Sequence, residues 1–287
     1  MRDKSKSLLG LKGTDLHIGT GYGIHREVYL ETTGPACIGD ILVRARHDSE
    51  EAAVQIDVDS SASHELALDV QILPENFEGE SFEIGAPINL KRGENILSIA
   101  VEMPDARIWT PETPYLYRCR VMLKEGGKIL DARDAIFGCR TFEMASKLNP
   151  KEGYPNGMLF LNGEPVYLRG TNIQGLNALW YWGEKDKLTD ILMMLKVANF
   201  NMVRSCQHAM YAEVRELLDR LGIMSQQEQG VIFPKRGKQT WPAAVESGSV
   251  LTRVVYNNPG VILTRYGNET QFDPTALVQA SMGTDPE

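Results

Sequence analysis

From about residue 28 to residue 143 apolar and polar side chains alternate. Val54, Ile56 and Val58 are separated by Gln55 and Asp57, and Leu66, Leu68, Val70 and Ile72 repeat the pattern, as do Leu97, Ile99, Val101 and Met103. The clearest run is Tyr115, Tyr117, Cys119, Val121 and Leu123, interleaved with Arg118 and Arg120 and followed by Lys124. A period of two turns one face of a strand to a core and the other to water, as in antiparallel sheets. Glu125-Gly126-Gly127-Lys128 predicts a hairpin turn, because glycine tolerates positive φ. About six or seven such strands predict an immunoglobulin-like β-sandwich.

After residue 160 the period changes. Val166-Tyr167-Leu168 is a short apolar run ending at Arg169-Gly170, which predicts a first strand with Asn172 just beyond it. Leu188, Ile191, Leu192 and Leu195 then follow helical spacing, and Asn201-Met202-Val203-Arg204 predicts a second strand. Val214, Leu217, Leu218 and Leu221 form another helical stripe that Gly222 stops at the C′ position. Ile223-Met224 opens a third strand, a helix is expected over about 241–256, and Val261–Tyr266 is the fourth strand. Strands alternating with helices imply parallel βα units, and about four of them make the N-terminal half of a TIM (β/α)8 barrel. The fold class expected is therefore multidomain, β plus α/β.

Composition narrows the function classes. A length of 287 residues suggests two domains, and 43% hydrophobic with 24% charged side chains is an ordinary globular balance. A formal charge of −8 argues against nucleic acid, whose binders carry a clustered basic face. No apolar run reaches the ~18 residues of a membrane span. The basic start MRDKSKSLLGLKGTDLHIG lacks a secretory apolar core, which favours a cytoplasmic setting. Cys37, Cys119, Cys139 and Cys206 read as buried thiols, with one Cys119–Cys139 bridge left open. Cys206 and His208 are close enough to share a metal, but two ligands without partners do not make a site, so neither metal nor cofactor is expected.

Six segments, in order, resemble glycoside hydrolase family 2, the family of β-galactosidases, β-glucuronidases and β-mannosidases. GIHREVYLE (residues 23–31) is similar to the exit from that family's jelly-roll sugar-binding domain. WTPETPYLY (109–117) and FGCRTFEM (137–144) resemble its sandwich, LFLNGEPVYLRGTN (159–172) its entry into the barrel, ANFNMVRSCQH (198–208) its second barrel strand, and NNPGVILTRYGNE (257–269) its fourth. The resemblance implies a jelly-roll remnant over 1–22, the sandwich over 23–144 and a partial catalytic barrel over 145–287. It implies a retaining exo-β-glycosidase acting on terminal β-linked sugars, most simply β-galactosides.

Retaining glycosidases place two carboxyl groups about the scissile bond, and barrel enzymes build their sites at the C-terminal ends of strands. Glu269 follows the fourth strand, where the resemblance implies the acid/base, with Asn268 binding the sugar 2-hydroxyl. The alternatives for Glu269 are a solvated loop carboxylate or, in Asn268-Glu269-Thr270, a glycosylation acceptor. Arg204 either supports the site's carboxylates or neutralises the sheet end. His208 is either a sugar contact or an ordinary loop histidine, and Asn172 is a further candidate contact. Trp180, Tyr181 and Trp182 either seal their loop onto the barrel or stack on sugar rings, with Trp182 the candidate for substrate. Glu228 ends the third strand, as an orienting group or a structural carboxylate. Trp109 is expected in packing.

The resemblance also implies a nucleophilic glutamate on a later strand, and only Glu287 follows Glu269. The 287 residues alone are therefore expected to be inactive. The alternative reading is a chain without catalysis that serves as a carbohydrate-binding or assembly module. Open edges on a four-stranded half-barrel predict association with a second copy or a complementing segment.

Overall fold

The computed structural model describes residues 28, 30–205, 208–229, 241–267 and 273–284. The alternating region forms seven strands: β1 (Ala36–Ala45), β2 (Glu51–Ser60), β3 (His64–Pro74), β4 (Phe82–Leu90), β5 (Gly93–Glu102), β6 (Tyr117–Glu125) and β7 (Lys128–Phe137). They make two antiparallel sheets, ordered β1-β2-β5 and β4-β3-β6-β7. Ile38, Val54, Ile56 and Val58 from the first meet Leu68, Val70, Ile72, Cys119, Val121 and Leu123 from the second in one buried core. These are the apolar positions of the alternation, so the period-two reading chose the buried face correctly. Gly126 and Gly127 take positive φ (55° and 82°), and Glu125 pairs with Lys128 across the expected turn. Strand β6 starts at Tyr117 and not at Tyr115. Tyr115 lies outside the sheet and packs edge-on against Phe77, with the Arg107 guanidinium over its ring.

Cys37, Cys119 and Cys139 are free thiols, so the Cys119–Cys139 bridge is not formed. Burial pushes the Cys119 thiol up to about 12 and that of Cys139 to about 11, which leaves both unreactive. Cys206 lies outside the described residues.

A small antiparallel sheet follows, ordered β10-β9-β8, of β8 (Phe142–Met144), β9 (Leu159–Leu161) and β10 (Glu164–Val166). Its hairpin turns on Asn162 and Gly163, both at positive φ, as Asn-Gly turns require. Here the expectation of a first parallel strand at Val166–Leu168 is corrected. Val166 ends the hairpin, and the first parallel strand is β11 (Gly170–Asn172). Val166 and Leu168 instead pack in a cluster with Trp109, Met202 and Met224, while Tyr167 is exposed. A short apolar run carries no period by which to choose between these roles.

The parallel sheet has the order β11-β12-β13-β14, with β12 (Met202–Arg204), β13 (Met224–Glu228) and β14 (Val261–Arg265). Helices α1 (Leu176–Tyr181) and α2 (Lys185–Val197) connect β11 to β12, α3 (Ala212–Leu221) connects β12 to β13, α4 (Trp241–Val255) precedes β14, and α5 (Thr275–Met282) follows it. Leu188, Leu192, Val214 and Leu218 pack with Val203 and Ile223, so the helical stripes face the sheet. Gly222 ends α3 at φ 66°, as its position predicts. The segment Trp180–Trp182 is not a loop. Trp180 and Tyr181 complete α1, and Trp182 caps it. Asp273-Pro274-Thr275 opens α5 directly.

Candidate functional site

The C-terminal ends of the four parallel strands carry a row of polar side chains. Register places Asn172 beside Arg204, Arg204 beside Gln226, and Glu228 beside Arg265. Arg204 donates from Nε (3.0 Å) and Nη2 (2.6 Å) to Glu228 Oε2, and from Nη1 at 3.4 Å to Asn172 Oδ1. Glu228 is fully buried, whereas the Arg204 side chain is 15% exposed. The buried carboxylate therefore fixes the guanidinium. Arg265 Nε lies 4.0 Å from Glu228 Oε1, an oxygen that accepts no hydrogen bond among the described residues. Arg265 also donates at 2.8 Å to Gly267 O, just beyond the end of β14.

The loop after β12 is held from two sides. Gln227, fully buried on β13, accepts from Met210 N at 2.9 Å and donates to Ser225 Oγ at 3.1 Å. Asn177 of α1 accepts from Tyr211 N (2.8 Å) and donates to Ala209 O (3.0 Å). The loop so fixed sets His208 Nε2 3.0 Å from Ser205 Oγ, next to Arg204 in sequence. The exposed Trp182 and Tyr181 stand at the end of α1, and Lys185 Nζ sits 4.3 Å over the Trp180 ring. This sorts the aromatic trio: Trp180 packs inward against the helices, and Tyr181 and Trp182 face out.

The expected residues thus divide. Asn172, Arg204 and Glu228 are joined by hydrogen bonds, His208 is held one residue away, and Trp182 stands apart on α1. Asn268 and Glu269 lie outside the described residues, as do Cys206 and Gln207. Arg265, Gln227 and Asn177 were not singled out from the sequence. Arg265 had a signal, a cation closing an apolar run just ahead of Asn268-Glu269. Gln227 and Asn177 had none, because their partners are backbone groups of a distant loop. Among the described residues, no group of three or more His, Cys, Asp or Glu side chains is set to hold a metal ion. Donors and acceptors fixed at the strand ends can hydrogen-bond a polyhydroxylated ligand without ordering themselves first.

Residues 36–140 match the family model described as glycosyl hydrolases family 2. The chain is similar to glycosyl hydrolase family 2 over its antiparallel sheets and, through the relatives below, over most of its length. A β-galactosidase from Alteromonas mediterranea is 28% identical over 279 residues, covering 88% of this chain and 25% of that protein. Among solved structures, a family 2 member from Bacteroides cellulosilyticus matches with a TM-score of 0.73 at 21% identity, over 88% of this chain and 34% of that one. A β-glucuronidase from Bacteroides uniformis matches at 0.69 and 19%, with the same coverage. At these identities the structural likeness shows a shared fold. The chain spans about a quarter of the length of the curated relatives that it matches. No described helix is long and apolar enough to cross a membrane.

Proposed function

We propose that this chain carries the proton-donor side of a retaining β-glycosidase site. In this reading the two antiparallel sheets are an immunoglobulin-like sandwich within residues 23–144. The parallel sheet is the first half of a (β/α)8 barrel within 145–287, and residues 1–22 belong to a jelly-roll domain. Glu269, four residues beyond Arg265, is the acid/base that protonates the leaving oxygen, and Asn268 holds the sugar 2-hydroxyl. Arg204 and Asn172 bind hydroxyl groups at the strand ends, His208 borders them, and Trp182 offers a ring face to the sugar. Glu228 acts through Arg204 and is a positioning residue. The substrate is a terminal β-linked sugar, with β-galactosides first because the similar curated proteins include several named β-galactosidase.

The observation that carries this reading is the Asn172–Arg204–Glu228–Arg265 row at the C-terminal ends of parallel strands. That is the end at which barrel enzymes assemble their sites. The test is titration calorimetry of the full chain with a β-thiogalactoside, which binds without being cleaved. Asn172 and Trp182 are both exposed, so their alanine variants keep the fold. Each is expected to weaken binding by about tenfold, the scale of one lost hydrogen bond or stacking contact. Nitrophenyl β-galactoside is expected to remain uncleaved by the 287 residues alone. Affinity unchanged in both variants would remove the site from the strand ends.

A further inference from the structure

The turn Asn257-Asn258-Pro259-Gly260, which leads into β14, is bonded to more of the molecule than a strand entry needs. Asn257 donates from Nδ2 to Ile41 O at 2.7 Å and accepts at Oδ1 from Val43 N at 2.8 Å. β1 is the outer strand of its sheet, so the side-chain amide pairs with that edge on either side of Leu42, as a peptide group of a neighbouring strand would. Arg140, just beyond the Gly138-Cys139 segment, donates to Pro259 O (3.0 Å) and Val261 O (2.8 Å). Gly138 lies so close that a Cβ there would sit 2.7 Å from the Pro259 ring.

The other half of the turn is bonded to α3. Asp219 accepts from Asn258 Nδ2 at 2.6 Å and from Gly260 N at 2.8 Å, while its own carbonyl accepts the Trp109 indole N–H at 2.9 Å. Arg215 Nε donates to Asn258 Oδ1 at 3.0 Å. A Cβ on Gly260 would come within 2.7 Å of Asp219 Oδ1, so only glycine fits between them. By contrast, the pairing of β13 with β14 is interrupted by a register shift between Ser225 and Gln226. Register in a strand is what keeps each side chain on its own face. Here a slip would carry Arg265 away from Glu228.

We propose that this turn is an interdomain latch through which the antiparallel sheets, and not the neighbouring parallel strand alone, fix the position of β14, with Asn257, Arg140 and Asp219 as positioning residues for the sugar site at its end. The site half of the claim rests on the function proposed above, and the structural half does not. The experiment is hydrogen exchange by mass spectrometry on the full chain, with β-thiogalactoside affinity measured on the same samples. In Asn257→Ala the amides of β14 are expected to exchange at least about tenfold faster while those of β3 and β6 keep their protection, and affinity falls in parallel. Arg140→Lys, which keeps the charge but not the two-point contact, gives the same pattern more mildly and serves if the first variant does not fold. Unchanged β14 protection overturns the latch, and so does equal loss of protection in β3 and β6. Faster β14 exchange with full affinity overturns the positioning role. If the wild-type chain fails to bind the thiogalactoside, the functional reading fails, and the exchange pattern still decides the latch.

Discussion

Glu228 and Arg204 show how a single pair fixes a site and how it can be tested. Glu228 is wholly buried, and two of the hydrogen bonds it receives come from one guanidinium. Removing one member of a buried pair leaves an uncompensated charge and costs about 3–5 kcal/mol, whereas replacing both by apolar side chains is often close to neutral. Arg204→Met is therefore expected to destabilise the chain by about that amount, and the double variant Arg204→Met/Glu228→Leu by clearly less, with sugar binding lost in both. Urea midpoints of Arg204→Met, Glu228→Leu and the double variant measure this; a double variant as unstable as the sum of the singles would deny the coupling. The sequence made Glu228 visible as a carboxylate at a strand end, and Arg204 as a cation at another. It did not show that they meet, because 24 residues and a helix separate them and only the parallel register sets Glu228 against its neighbours.

At the scale of elements, the Asn162-Gly163 hairpin joins the small sheet to the seam between the two halves. Asn162 sits at φ 52°, accepts from Thr141 N at 3.0 Å and donates to Trp109 O at 3.0 Å. Asn162→Gly keeps the backbone relaxed and loses both bonds; Asn162→Ala loses them and also strains the backbone, by about 1–2 kcal/mol. Alanine is thus expected to lower the melting temperature by several degrees more than glycine does. Equal melting points would mean that the left-handed conformation is not kept. The pair Asn162-Gly163 is a hairpin signal in the sequence, and the apolar run Val166–Leu168 beside it is too short to show a period. Long alternating strands and capped helices could be read because burial on one face repeats along them. The three-residue strands β8–β12 are too short to repeat anything.

Across the whole molecule, the halves meet on buried polar groups, and this gives stability a defined pH dependence. Asp219 lies at the centre of the seam, fully desolvated, and burial pushes its carboxyl from 3.8 up to about 7 despite the Asn258 and Gly260 donors and the Arg215 charge; Glu216 adds to the rise. The folded chain then holds a proton between about pH 4 and 7 that the unfolded chain has released. By linkage the contribution of Asp219 is greatest at the acid end of that window and is lost as pH rises through about 7. Glu75 and Asp134 act oppositely. Although burial raises Glu75, hydrogen bonds from Arg220 and Arg118 outweigh it, and Arg120 leads those on Asp134, so both carboxyls lie below their ordinary values. Their contribution is present above the ordinary carboxylate range and fades as pH falls below it. The two effects together place maximal stability on the mildly acidic side of neutrality. Asp219→Asn keeps an oxygen acceptor for Gly260 but cannot titrate, so its unfolding free energy should change less between pH 5 and 8 than that of the wild type. Urea unfolding at both values measures the difference, and equal slopes would mean that Asp219 is charged in the fold throughout. Trp109 is fully buried, as the sequence predicts, and its indole bond to the Asp219 carbonyl ties the seam's aromatic centre to the same residue. If the slope disappears in the variant, the buried Asp219 carboxyl is what makes this chain respond to pH between 5 and 8.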